Sequence, residues 1–148
     1  MQSAAEKVSI YCVPPSMFGA VWPSAGDWIL RGLATAPNIG VLEAIEACRN
    51  GRMQLWVIAQ EEPAEILGAC LTELVEHEGA KVVAAYAMAG RNWRLWADQL
   101  CERMVEFARV EGRSAVRFAG RRGWMRVFGN IREVSATPEG APIFERAA

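Results

Sequence analysis

The fold is decided by the stretch Lys81 to Gly112, in which KVVAAYAMAG (81–90) is followed by RNWR (91–94) and then by an amphipathic run. The first segment is continuously apolar, which is the pattern of a strand buried on both faces. The run after it repeats apolar residues at steps of four, three and one, which predicts a helix of about five turns that ends near Gly112. Its apolar face is predicted to contain Trp93, Ala97, Leu100, Cys101, Met104, Phe107 and Ala108.

The junction between this strand and this helix has two interpretations. Helix N-termini expose backbone amides, so Arg91 and Arg94 beside them form a candidate anion site. The alternative is an ordinary strand–turn–helix unit with two solvated arginines, because every such junction exposes amides.

Composition bounds the kind of protein. With 148 residues, 52% hydrophobic and 22% charged, the chain is expected to fold as one soluble domain. A net charge of −1 gives no general attraction to nucleic acid or membrane. The charge is uneven, however: residues 113–132 carry six arginines and no Asp or Glu, whereas residues 61–78 carry six glutamates and no Lys or Arg. A positive surface in the C-terminal half is therefore one interpretation.

The titratable residues exclude several chemistries. Cys12, Cys48, Cys70 and Cys101 have no metal-ligand spacing, so no metal site is predicted and reduced, buried thiols are expected. His77 is the only histidine and is predicted to be a solvated loop residue rather than a base. Neither a secretory signal nor a membrane span is evident, so a cytoplasmic location is expected.

The remaining elements follow from local patterns. A strand at 8–13 is ended by Pro14-Pro15, and two helices are predicted with Ser24 and Asn38 as their N-caps. Strands at 53–59 and 66–74 form a hairpin with a candidate bulge at Gly68, and a turn at 77–80 leads into the 81–90 strand.

After the long helix, residues 115–118 are predicted to form a strand parallel to 81–89. A glycine-flanked turn at 120–123, a short helix at 124–128 and a strand at 131–135 follow. The prediction is a single α/β domain over 1–148, with a mixed sheet in the order β-α-α-β-β-β-α-β-α-β. Residues 1–7 and 138–148 are predicted to be flexible or edge segments.

This order of elements resembles the GNAT acyltransferase superfamily, and within it the small GNAT-like proteins of tailed phages, prophages and gene transfer elements. The resemblance covers about 8–135 and is carried by Leu55-Trp56-Val57, Thr72-Glu73-Leu74, Ala89-Gly90-Arg91 and Gly120-Arg121-Arg122-Gly123-Trp124. It implies a mostly antiparallel sheet in which the parallel fourth and fifth strands splay apart and hold acetyl-CoA.

The resemblance also implies site residues. Tyr86, Ala87 and Met88 would flank the pantetheine arm, and Arg91, Arg94 and Trp96 would stand where a Q/R-x-x-G-x-G/A loop holds the pyrophosphate. The glycines of that loop are absent here, so the cofactor loop is degenerate, and Trp93 and Trp96 filling the cofactor slot is the alternative. Glu73 is the candidate base, and Tyr86 is a second candidate catalytic residue or a wall of the cleft.

Two function classes therefore remain. One is an acyl-CoA-dependent N-acyltransferase acting on an amine. The other is an inactive GNAT-fold binding or assembly protein of a phage-like particle, with nucleic acid as a weaker partner. Arg121, Arg122 and Trp124 are predicted to bind the acceptor or a partner, or else to form a structural turn.

Overall fold

The computed structural model describes residues 8–34, 39–120 and 128–148, and within them the chain alternates strands and helices as predicted. The strands are β1 (Val8–Val13), β2 (Met53–Glu61), β3 (Ala64–His77), β4 (Ala80–Gly90), β5 (Ala115–Ala119), β6 (Arg132–Ala136) and β7 (Pro142–Ala147). The helices are α1 (Phe18–Leu33), α2 (Val41–Arg49) and α3 (Trp93–Val110). This confirms the mixed α/β class; the helix predicted at 124–128 falls on residues that, except for Phe128, lie outside the described ones.

The strands form one mixed sheet in the order β1-β2-β3-β4-β5-β7-β6. β1, β2 and β3 pair antiparallel, as do β5 and β7 and then β7 and β6. β4 and β5 are parallel, with a register that runs from Val82↔Ala115 to Ala85↔Phe118. The predicted parallel pair is therefore confirmed, and its register ends well before β4 itself ends at Gly90.

The C-terminal segment corrects the sequence prediction for 138–148. β7 is not at an edge, because it pairs with β5 on one side and with β6 on the other. Phe144 is fully buried and lies 5.7 Å from the ring of Phe118. The alternating pattern was obscured by Glu145, a charged residue that is nevertheless buried because Arg117 pairs with it.

Helix α1 begins at Phe18 and not at Ser24, with Pro23 inside it and a 3-10 turn at Pro15–Met17 before it. Ser24 is a typical N-cap residue, which is why the sequence suggested a later start. Burial of Phe18 and Ile29 on one face favours the longer helix. The N-cap of α2 is Gly40, whereas Asn38 lies outside the described residues.

Helix α3 ends as predicted, but its buried apolar face begins at a different residue from the one predicted. Gly112 has φ +68°, and the amide of Arg113 donates to the Ala108 carbonyl at 2.7 Å, which closes the C-terminus. At the start, Trp96 is buried and Trp93 is exposed, so the apolar face begins at Trp96.

The chain divides into two compact units, one of Met1–Glu73 with Tyr86–Trp96 and one of Leu74–Ala85 with Ala97–Ala148. In the first, residues of α1, α2, β2 and β3 share an apolar core that includes Ile29, Ala47, Leu55 and Leu71. In the second, Phe118, Phe128 and Phe144 pack together. The single-domain interpretation stays a prediction.

None of the four cysteines forms a disulfide. Cys48, Cys70 and Cys101 are buried as predicted, and Cys12 is half-buried. Within the described residues there is no group of three or more side chains that could hold a metal ion. None of the helices in that part of the chain is long and apolar enough to cross a membrane.

Candidate functional site

Tyr86 and Glu73, the two candidate catalytic residues, lie side by side on the neighbouring strands β4 and β3. The Tyr86 hydroxyl donates to Oε1 of Glu73 at 2.8 Å. Nη1 of Arg52 donates to the other oxygen, Oε2, also at 2.8 Å. Each carboxylate oxygen has a second lone pair, so Glu73 can still accept a hydrogen bond from a third group.

Arg52, which sequence analysis missed, is fixed in place from two further directions. Its amide donates to Oδ1 of Asn50 at 2.9 Å, and its Nη2 lies 3.7 Å from Oε1 of Glu43 on α2. The Glu73 side chain is only 13% exposed, whereas that of Arg52 is 48% exposed. The carboxylate is thus held from the solvent side by one cation and from within by one phenol.

The phenol of Tyr86 is kept neutral. Burial raises its pKa, and the hydrogen bond to the Glu73 carboxylate raises it further, because ionisation would place two anions in contact. A thiol ordinarily titrates near pH 8.5, so proton transfer from this phenol to a thiolate is uphill. Tyr86 therefore suits the role of a hydrogen-bond donor to Glu73 better than that of a general acid.

Strand β4 continues for five residues after its register with β5 ends at Ala85. Ala87 belongs to the first unit's core, and Tyr86 packs against that core. Gly32 of α1 lies so close that a Cβ there would be 2.9 Å from the Met88 amide nitrogen. The backbone of Ala87 and Met88 is thus backed by a helix that approaches through glycine.

The corner between β4 and α3 is closed by its own hydrogen bonds. Leu67 is the extra residue of a β-bulge, since Ile58 pairs with Gly68 and Ala59 with Ile66, which confirms the bulge predicted beside Gly68. The Leu67 carbonyl accepts the amide of Arg91 at 2.9 Å.

Two further contacts complete this corner. The indole Nε1 of Trp96 donates to the Arg91 carbonyl at 2.9 Å, and the guanidinium of Arg91 pairs with the Glu65 carboxylate. The Trp96 ring lies over Gly68 and Gly90, where a Cβ would come within 2.9 and 2.6 Å of its Cζ2 atom. Trp96 is therefore a packing residue here, and its predicted contact with a cofactor stays a prediction.

The same corner was predicted to hold a pyrophosphate; Arg91 is already engaged within the protein, and a contact between a pyrophosphate and Arg94 stays a prediction. A phosphate cradle needs free backbone amides and uncompensated cations. The Arg91 amide and guanidinium are both engaged inside the protein, and Glu65 adds a negative charge. Arg94 is exposed and lies over the Trp93 ring at 5.4 Å, which leaves its charge available to a ligand.

The three described arginines of 113–132 are each bound to another group of the protein. Arg113 donates to the Val75 carbonyl at 3.3 Å, and Arg117 and Arg132 both bind Glu145, at 2.7 and 3.0 Å. The predicted partner-binding residues Arg121, Arg122 and Trp124, and also Arg126, lie outside the described residues. The pairing of Arg117 and Arg132 with Glu145 could not be predicted from the sequence, because Glu145 lies outside the basic stretch and on a different strand.

His77 is likewise not a solvated loop residue. It ends β3, and its Nδ1 lies 2.9 Å from Nη1 of Arg117, which also donates to the His77 carbonyl at 3.0 Å. Arginine only donates hydrogen bonds, so Nδ1 of His77 is the acceptor in this contact. This gives His77 a structural role in the second unit.

Comparison with known proteins identifies the fold of the chain. No family model matches the chain, and no curated protein matches it. Among solved structures, a GCN5-related N-acetyltransferase from Kribbella flavida is 18% identical with a TM-score of 0.65, covering 97% of this chain and 99% of that one. A putative N-acetyltransferase from Lactobacillus plantarum is 14% identical with a TM-score of 0.66, covering 95% and 97%. An acetyltransferase from Bacillus cereus described as an IAA acetyltransferase is 10% identical with a TM-score of 0.64, covering 96% and 100%.

These likenesses confirm that the chain has the GNAT fold over nearly its whole length. At such low identity they show the fold alone, so the chemistry has to be argued from the residues above.

Proposed function

We propose that the protein is an acyl-CoA-dependent N-acyltransferase. The observation that carries this proposal is the end of the β4–β5 register at Ala85↔Phe118, while β4 continues to Gly90 and β5 pairs with β7 as far as Ala119. Backbone groups of Tyr86–Met88 are thereby released from the parallel ladder, and a pantetheine arm can use such groups like an added strand.

The proposed reaction is direct. A neutral amine attacks the thioester carbon, the C–N bond forms, the C–S bond breaks, and CoA leaves as its thiol after a proton passes from nitrogen to sulfur. Glu73 is the proposed base for the attacking nitrogen, because it is the carboxylate whose position beside β4 is fixed by two partners. Tyr86 and Arg52 are positioning residues that hold its two oxygens.

The test is binding followed by turnover. Acetyl-CoA at 100 times its Kd would stabilise the fold by about 2.7 kcal/mol, or roughly 5–10 °C in Tm for a chain of this size. Release of free CoA thiol with a panel of primary amines then reports transfer, and Glu76→Gln serves as a control because Glu76 is an exposed carboxylate farther along β3. An unchanged Tm at millimolar acetyl-CoA, with no thiol released, would reject the proposal.

One observation favours a second candidate function. The closed corner at Arg91 suits a protein that keeps the GNAT shape for binding or assembly, as predicted for a phage-like particle. None of the solved structures compared above is described as a component of a phage-like particle, so the assembly function stays a prediction. Co-purification with capsid or tail proteins, together with failure in the acetyl-CoA test, would favour it over the enzyme.

A further inference from the structure

We infer that this protein recognises its acyl donor by binding the pantetheine thioester and not by binding the nucleotide. The inference rests on the proposed function and narrows it to a class of donor: an acylated pantetheine arm whose attached carrier makes little difference to affinity.

The first step of the argument is the Arg91 backbone. Its amide donates to Leu67 and its carbonyl accepts from Trp96, both at 2.9 Å, so both polar groups already have partners. A phosphate that took the amide would leave the Leu67 carbonyl without its bond, and exchanging one bond for another gives little net gain.

The second step is charge. The Arg91 guanidinium is paired with Glu65, so a pyrophosphate would have to displace one anion to bind there and would then face that anion at short range. Repulsion between like charges offsets most of what Arg91 contributes, which leaves the exposed Arg94 as the further described cation at this corner. The pair is partly exposed, at 53% for Arg91 and 38% for Glu65, so it can be opened by substitution without creating a buried charge.

The third step is space. Phosphates approach a helix N-terminus closely only where small residues line the turn. Here the turn contains Asn92, at φ +55°, and then Trp93, and the Trp96 ring covers Gly90 from within. Gly90, the glycine that precedes this turn, is thus already used for packing.

The strand part of the site differs, because the backbone groups of Tyr86–Met88 lie beyond the β4–β5 register, which ends at Ala85. Strand pairing forms hydrogen bonds between the protein backbone and amide groups of the ligand. The pantetheine arm has such amide groups, and the nucleotide lacks them. The site is therefore selective for the part of the donor that carries the thioester.

The experiment compares S-acetylpantetheine with acetyl-CoA as donors to the same amine. Two charge-assisted contacts to a pyrophosphate would favour acetyl-CoA by about 100-fold or more in kcat/KM. We expect a ratio below about 5-fold. Glu65→Gln frees Arg91 and is expected to raise the ratio to about 10-fold or more, while Glu61→Gln, an exposed residue of the same hairpin, leaves it unchanged.

A second readout uses the nucleotide fragment alone. Adenosine 3′,5′-bisphosphate is expected to leave the Tm of the wild type unchanged and to raise that of Glu65→Gln. A wild-type ratio above about 100-fold overturns the inference and leaves the proposed function standing. No transfer from either donor overturns both.

Discussion

Gly90 is the position where one added methyl group should test the description of the β4–α3 corner. A Cβ at Gly90 would lie 2.6 Å from the Leu67 carbonyl oxygen, 2.6 Å from Cζ2 of Trp96 and 2.8 Å from the Cα of Gly68. Two of these three atoms belong to the backbone and cannot rotate away. The Gly90→Ala variant must therefore move β3 against β4 or displace the Trp96 ring.

The cost can be estimated from those contacts. Overpacking of a tight interior costs about 1–3 kcal/mol. Loss of the hydrogen bond from the Arg91 amide to Leu67 adds about 1 kcal/mol. Unfolding free energy should thus fall by about 2–4 kcal/mol, which corresponds to roughly 5–15 °C in Tm at this chain length.

Thermal and urea denaturation followed by circular dichroism measure this change. Gly19→Ala is the matched control, because no atom lies within 4 Å of a Cβ there and Gly19 is in helix α1. That variant should be unchanged or more stable by up to about 1 kcal/mol. A Tm for Gly90→Ala within about 2 °C of the wild type would show that the corner is not packed as described.

Three further predictions concern the proposed base, acid stability and the thiols. Glu73→Gln should lower kcat by about 100-fold or more, whereas Tyr86→Phe should lower it by only about 10-fold, because the phenol donates a hydrogen bond and no proton; equal losses would contradict these roles. For Glu145, burial alone would raise the pKa, but the hydrogen bonds from two arginines outweigh it and the pKa is lowered. This group therefore stabilises the fold above its unfolded pKa of 4.5 and loses that effect as pH falls below it, so the urea midpoints of the wild type and Glu145→Gln should differ at pH 7 and converge at acid pH. Burial, and then the nearby Cys12, raises the pKa of Cys48 to about 11, so Cys48 in the native protein should resist a thiol reagent at pH 8 and react only after urea is added.

Periodicity in the sequence determined much of the fold. The apolar run at 81–90 and the amphipathic run that ends at Gly112 are found as β4 and α3, because burial on two faces and on one face leave different patterns. β7 was missed, since a strand that buries Glu145 beside Arg117 looks like a polar tail. The early start of α1 was missed because Ser24 is a typical N-cap residue, whereas it lies inside the helix.

The site divides in the same way. Glu73 and Tyr86 could be proposed from residue type and strand position alone, but that they share a 2.8 Å hydrogen bond depends on the register between β3 and β4. Local sequence sets which strands and helices form, because their patterns depend on neighbours along the chain. Tertiary structure alone decided that Glu65 pairs with Arg91 and that Arg52 pairs with Glu73, because the residues of each pair lie more than twenty positions apart and come into contact only once the strands are aligned.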